Sequence, residues 1–148
     1  MACACLAQGH RPVFAEYPAA RYDGNIAPPR VPDDQREDFG FRVALSEADR
    51  PINFAGHYRI SRDTCGSECT RVMLTDVITG RVDEALGLSW SYRFAFPKLP
   101  TGIEHRQDSN LLIGHGCLND ERKCGDHYWK MTPRGLVEIR WIPYKGLN

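Results

Sequence analysis

Four residues in the second half of the chain stand at spacings that suit a metal. His115-x-Cys117 and Cys124-x-x-His127 offer two imidazoles and two thiolates to a tetrahedral Zn²⁺. The same cysteines can instead form a disulfide, which an oxidising compartment favours, and they lack the close C-x-x-C knuckle of a zinc site. No metal is therefore expected, and His115, Cys117, Cys124 and His127 stand as the alternative ligand set. Cys65 and Cys69 could do redox chemistry only with an activated thiolate, normally made by C-x-x-C at a helix N-terminus. Their spacing is longer and their flanks read as strands, so a structural staple is preferred. His57 can be written into a hydrolase triad with Asp76 or Asp126 and Ser61 or Ser67. Five histidines and nineteen acids supply such triplets in any case, and no Gly-x-Ser-x-Gly elbow accompanies them.

The six cysteines fall into three close pairs: Cys3 with Cys5, Cys65 with Cys69, and Cys117 with Cys124. Residues 1–7, small and mildly apolar, read as the tail of a secretory segment with cleavage after Ala7. A lipobox ending at Cys5 and a plain cytosolic tail are the other readings. An even set of paired cysteines suits a disulfide framework, so the expected location is periplasmic or secreted. The last four cysteines allow three connectivities. Local pairing is preferred, with Cys65–Cys69 closing a turn made flexible by Gly66 and Cys117–Cys124 stapling the polar loop 118–123.

What must position these residues follows from length and pattern. The chain has 148 residues, 42% of them hydrophobic, with six Phe, six Tyr and three Trp, enough apolar surface for one compact core. Nineteen basic residues balance nineteen acidic ones, so the bulk charge of a nucleic-acid binder is missing, and no apolar run approaches the ~20 residues of a transmembrane segment. Five prolines within residues 8–32 predict an extended arm. Asp33 or Asp34 then caps a helix of about 12 to 15 residues whose apolar face is Phe41, Ala44, Leu45 and Ala48, ended by Pro51. Strand-like runs follow at 54–61, 70–77, 81–85, 91–96, 110–115, 126–131 and 136–142, with hairpin turns at 76–81 and 132–135. The expected fold is α+β, a single domain over residues 8–148, mainly an antiparallel β-meander with one N-terminal helix packed on the sheet.

The order Asn53-Phe54-Ala55-Gly56-His57-Tyr58, then Cys65-Gly66 with Cys69, then Asp76 and Thr79-Gly80, resembles a family of small exported bacterial proteins with an NFAGHY segment followed by a Gly-Cys-Gly and a second Cys. The resemblance covers most of the chain and includes the Tyr22-Asp23-Gly24 arm and the Cys117…Cys124-Gly125 loop. It implies export, disulfides and a single domain, and it carries no catalytic residue, the family having no established activity. This chain departs from the pattern at Asp63-Thr64-Cys65-Gly66, where the family has aromatic-Gly-Cys-Gly.

The preferred functional reading is a disulfide-stabilised binding module, inhibitor- or immunity-like, that contacts a protein partner and needs no cofactor. Its expected contact residues are Asp120, Glu121, Arg122 and Lys123 in the second stapled loop, because pinned polar loops lose little entropy on binding. Trp90 and Tyr92 join them from the predicted aromatic strand, whose alternation puts Trp90, Tyr92, Phe94 and Phe96 on one face. The alternative is a small periplasmic hydrolase or zinc-dependent enzyme using the histidine-rich loops.

Overall fold

The computed structural model describes residues 9–118 and 122–147. Among these residues, seven antiparallel strands form one sheet: β1 (Tyr58–Thr64), β2 (Cys69–Asp76), β3 (Val82–Ser89), β4 (Gly102–His105), β5 (Leu111–Leu118), β6 (Lys123–Thr132) and β7 (Gly135–Pro143). Their order is β1-β2-β3-β5-β6-β7, with β4 paired to β5. One helix, α1 (Phe39–Ser46), precedes them. This is an α+β domain built mainly as a β-meander, as the strand-and-turn pattern predicts.

Period-two alternation sorts the side chains between two faces. On the inner face, Ile60, Val72, Leu74 and Leu88 from the first three strands meet Leu112, Trp129 and Met131 from the later ones in a single apolar cluster around Phe54. The two halves of the sheet therefore curl toward each other, and each fully buried side chain of this size contributes about 1.5–3 kcal/mol. The outer faces need separate covers. Phe41 and Ala44 of α1, with Val31, pack on Met73 and Val82. Phe14 and Tyr17 of the N-terminal arm pack on Leu111, Ile113 and Tyr128.

The arm is tied down by backbone bonds: Ala19 N–H to Asp108 O (2.9 Å), Tyr22 N–H to Gly56 O (2.9 Å), Ala27 N–H to Val77 O (2.8 Å) and Arg30 N–H to Gly80 O (2.7 Å). Two of these anchors are glycines for a steric reason. Gly56 (φ 79°) and Gly80 (φ 81°) hold left-handed backbone, and a Cβ on either would run into the carbonyl oxygen of Ala20 or Pro28. The NFAGHY segment is thus a structural clasp. Asn53 brackets Ile60 with its amide (Oδ1 accepts at 2.7 Å, Nδ2 donates at 3.1 Å), Phe54 is fully buried, and Ala55 (φ 48°) and Gly56 turn the chain so that both donate to loop 106–109.

Several element boundaries differ from the sequence expectation. The helix has eight residues and is capped by Asp38, whose Oδ1 accepts from Gly40 N (2.9 Å) and Phe41 N (3.3 Å); Asp33 and Asp34 sit instead in a 3₁₀ turn. Asp38 wins because Arg71 of β2 holds the same carboxylate at 2.8 Å. Leu45, expected on the buried face, is exposed. β1 begins at Tyr58, since residues 54–57 are the clasp. The predicted strand 91–96 is a 3₁₀ turn, Ser91–Phe94, cut short ahead of Pro97 and fixed by the Tyr92 hydroxyl donating to Pro100 O (2.6 Å). β4 carries only one large apolar residue, Ile103, and has no alternation to reveal it.

Candidate binding site at the disulfide-pinned end

Cross-strand register brings both staples to one end of the sheet. Cys69 of β2 stands opposite Ser89 of β3, Ser89 opposite Cys117 of β5, and Cys117 opposite Cys124 of β6. Cys65 is bonded to Cys69 and Cys117 to Cys124, the local pairing preferred from sequence. Between them the chain leaves β3 at Trp90, whose N–H donates to Glu68 O (2.9 Å), and enters the 3₁₀ turn. Tyr92, Tyr144 and the Cys117–Cys124 bridge form a buried cluster with Trp90, Leu99 and Leu147 against it, the two tyrosine rings meeting edge-on at 5.5 Å.

This arrangement divides the aromatic segment. Tyr92, expected at a contact surface, is buried, and it braces the turn from inside. Trp90 is half-buried. Phe94 points the other way and is 78% exposed, with Phe96 40% exposed nearby. Sequence alternation put all four rings on one face; the 3₁₀ turn rotates them apart.

The stapled loop is described only in part. Asp120 and Glu121 lie outside the described residues, as does the segment 1–7. Arg122 is exposed. Lys123 is committed within the fold: its Nζ donates to Glu138 (2.7 Å) and sits 5.0 Å from the Trp141 ring centroid.

The four residues of the alternative zinc set do not converge. The two sulfurs are bonded to each other, and the alternation along β5 and β6 sends His115 to the outer face and His127 to the inner one. Among the described residues, no three His, Cys, Asp or Glu side chains are grouped to hold a metal. His127 is fully buried and stacks on Trp129 (5.4 Å) and Trp141 (6.2 Å), its Nε2 facing Gly116 O and Lys123 O, and burial lowers its pKa.

His115 lies in a polar network below the second staple. Its Nδ1 is 2.7 Å from Asp126 Oδ1 and its Nε2 is 2.6 Å from Glu104 Oε2. Burial alone would lower its pKa, but these two carboxylates outweigh burial and raise it. Asp126 also accepts from the Tyr144 hydroxyl (2.7 Å) and from Arg11 Nη1 (2.6 Å). Burial would raise the Asp126 carboxyl, yet hydrogen bonds from His115, Arg11 and Tyr144 hold it far below the usual carboxylate range. Burial and the neighbouring Asp126 push the Tyr144 phenol far up, so it stays a neutral donor. Both ring nitrogens of His115 are engaged by carboxylates, which commits the ring to this network. Arg11 and Tyr144 had no sequence signal, because they reach Asp126 across 115 and 18 residues.

The proposed triad on His57 is not assembled. His57 Nδ1 faces Asp76 Oδ1 at 3.2 Å, Asp126 belongs to His115, Ser61 is buried on the outer face and Ser67 lies in the exposed first staple. A groove of about 430 Å³ between the first strands and the β6–β7 hairpin is lined by Tyr58, Asp76, Arg81, Asp83 and Arg134, with charges of both signs.

Compared with protein-family models, with curated proteins and with solved structures, the chain matches none. No helix among the described residues is long and apolar enough to cross a membrane.

Proposed function

We propose that the chain is an exported, disulfide-stabilised binding module, inhibitor- or immunity-like, that engages a protein partner through the pinned end of its sheet. The observation that carries this reading is Phe94: a ring 78% exposed on a turn whose base is locked by buried Tyr92 and the Cys117–Cys124 bridge. Large apolar rings held out on a rigid base suit contact hot spots, because the ring's burial is still available to binding while the turn is already ordered in the free protein. Phe96, 40% exposed, follows it on the same turn. Two disulfides accord with an oxidising compartment, and the NFAGHY resemblance accords with export. The hydrolase and zinc readings are weakened by the same geometry, since the His115 ring and the Cys117 and Cys124 sulfurs are already engaged.

The test is capture of partners from a periplasmic extract on immobilised wild-type protein and on Phe94→Ala. The substitution should leave stability within about 0.5 kcal/mol, as surface changes do, while proteins retained by the wild type are lost. Equal retention by a Phe94→Ala, Phe96→Ala double variant would sink the proposal. Charge reversal at Arg122 reports whether the stapled loop shares the contact.

A further inference from the structure

Arg59 of β1 is 3% exposed, and it is a charge without an ion partner. Its Nε donates to Arg50 O (2.8 Å), its Nη1 has no hydrogen-bond partner, and no carboxylate among the described residues lies within ion-pair distance of it. Burial lowers its pKa, and Asp49 and Glu47 act on it only through space. Thr75, its register partner on β2, is also buried and has an unpartnered Oγ1. Arginine is seldom buried this deeply unless paired, because an uncompensated cation out of water is costly.

Arg59 is buried with its Nη1 closed to solvent, but the residue borders an open space. It lines a cavity of about 550 Å³ between residues 21–26 of the arm and residues 48–52, the segment leading from α1 into β1. Arg21 stands on the arm side and Arg50 on the other; Arg50 is held only loosely, 3.6 Å from Glu47. Three guanidiniums and two carboxylates, Asp23 and Asp49, line the cavity and Glu47 stands against Arg50, so the deepest cation, Arg59, is one that no carboxylate pairs.

We propose that this cavity binds a tetrahedral oxyanion, a phosphate or phosphomonoester, with Arg59 as its buried anchor and Arg21 and Arg50 closing from the two walls. Guanidinium groups present forked donors that match phosphoryl oxygens, and approach from several walls suits a tetrahedral anion better than a planar carboxylate. The cavity is larger than the anion alone, which leaves room for the ester group beside Tyr22. The site lies apart from the pinned end and is independent of the proposed protein contact.

The experiment is titration of the whole protein with inorganic phosphate and, separately, with glycerol phosphate, followed by calorimetry and by the melting temperature at matched ionic strength in chloride. A saturable signal with either, weakened tenfold or more by Arg59→Lys or Arg21→Gln, supports the site. Tighter binding of glycerol phosphate identifies an ester as the ligand, and equal binding identifies free phosphate. Arg21 is exposed, so Arg21→Gln decides should Arg59→Lys fail to fold. No saturable signal beyond the chloride control, or undiminished binding in every variant that folds, overturns the proposal.

Discussion

Ser89 of β3 faces Cys117 of β5, and this one register pair is where the two halves of the sheet join directly. β5 is paired to β4 along residues 112–115, so the β3–β5 join is confined to the pinned end. The Cys117–Cys124 bridge therefore clamps the strand that carries the join. Replacing both cysteines by serine should cost at most the ~3 kcal/mol of a somewhat longer loop. More diagnostic is where the structure loosens. Amide exchange should speed up at Ser89, Trp90 and the Cys117 end of β5, while β1 and β2 keep their protection. Uniform acceleration across both halves would show that the bridge acts only on global stability.

A second relationship predicts a larger effect. Arg71 of β2 joins Asp63 (2.6 Å), whose side chain is 1% exposed, to Asp38 (2.8 Å), the cap of α1. Arg71→Met leaves the Asp63 carboxylate buried without its cation, a change that typically costs about 3–5 kcal/mol. It also frees the helix cap. The expected urea midpoint is much lower, and Asp63→Asn in the same chain should recover part of the loss. A loss below about 1 kcal/mol in the single variant contradicts the account.

How far the sequence reveals this arrangement depends on whether the cause is local. The β-branched, apolar run in residues 70–77 and the Gly80 and Gly135 turns are set by neighbours in the chain, so most strands and both hairpins are legible. The start of α1 is not, because Asp38 outcompetes Asp33 and Asp34 only once Arg71 is beside it. Residues 91–96 alternate like a strand, and what folds them into a turn is a bond from Tyr92 to Pro100 together with packing on Tyr144. At the candidate site, the cysteine pairs are visible from proximity. The exposed ring of Phe94 is visible only after the turn is known. The His115 network needs Arg11 from the arm, far away in the chain.

The clasp makes a third prediction. Gly56→Ala places a methyl group against the Ala20 carbonyl at a backbone angle that disfavours side chains. The arm should detach around residues 19–22, where Tyr22 N–H bonds Gly56 O. Limited proteolysis of the variant should yield early cuts in the arm while the sheet survives as a fragment. Resistance equal to the wild type would mean that the arm does not depend on this contact.

The last prediction is the shape of stability against pH, which three histidines set in opposite directions. The pKa of His115 is raised above 6.5 in the folded chain, net of burial, by Asp126 and Glu104. Its contribution is therefore complete below the unfolded value and is lost as pH rises through the folded one. Burial lowers the pKa of His105 and of His127, so their contributions are complete above 6.5 and are lost as pH falls through their folded values. Stability should be greatest near pH 6.5 and decline on both sides. Asp126, held below its ordinary 3.8, adds a further loss only in stronger acid. His115→Gln separates these causes. It removes the alkaline decline and leaves the acid limb in place, at a lower overall stability because Asp126 and Glu104 lose a cationic donor. Urea denaturation of both proteins across about pH 5 to 9 reads this directly. An alkaline limb of unchanged slope in His115→Gln would assign that titration to another group and remove His115 from the network's charge balance.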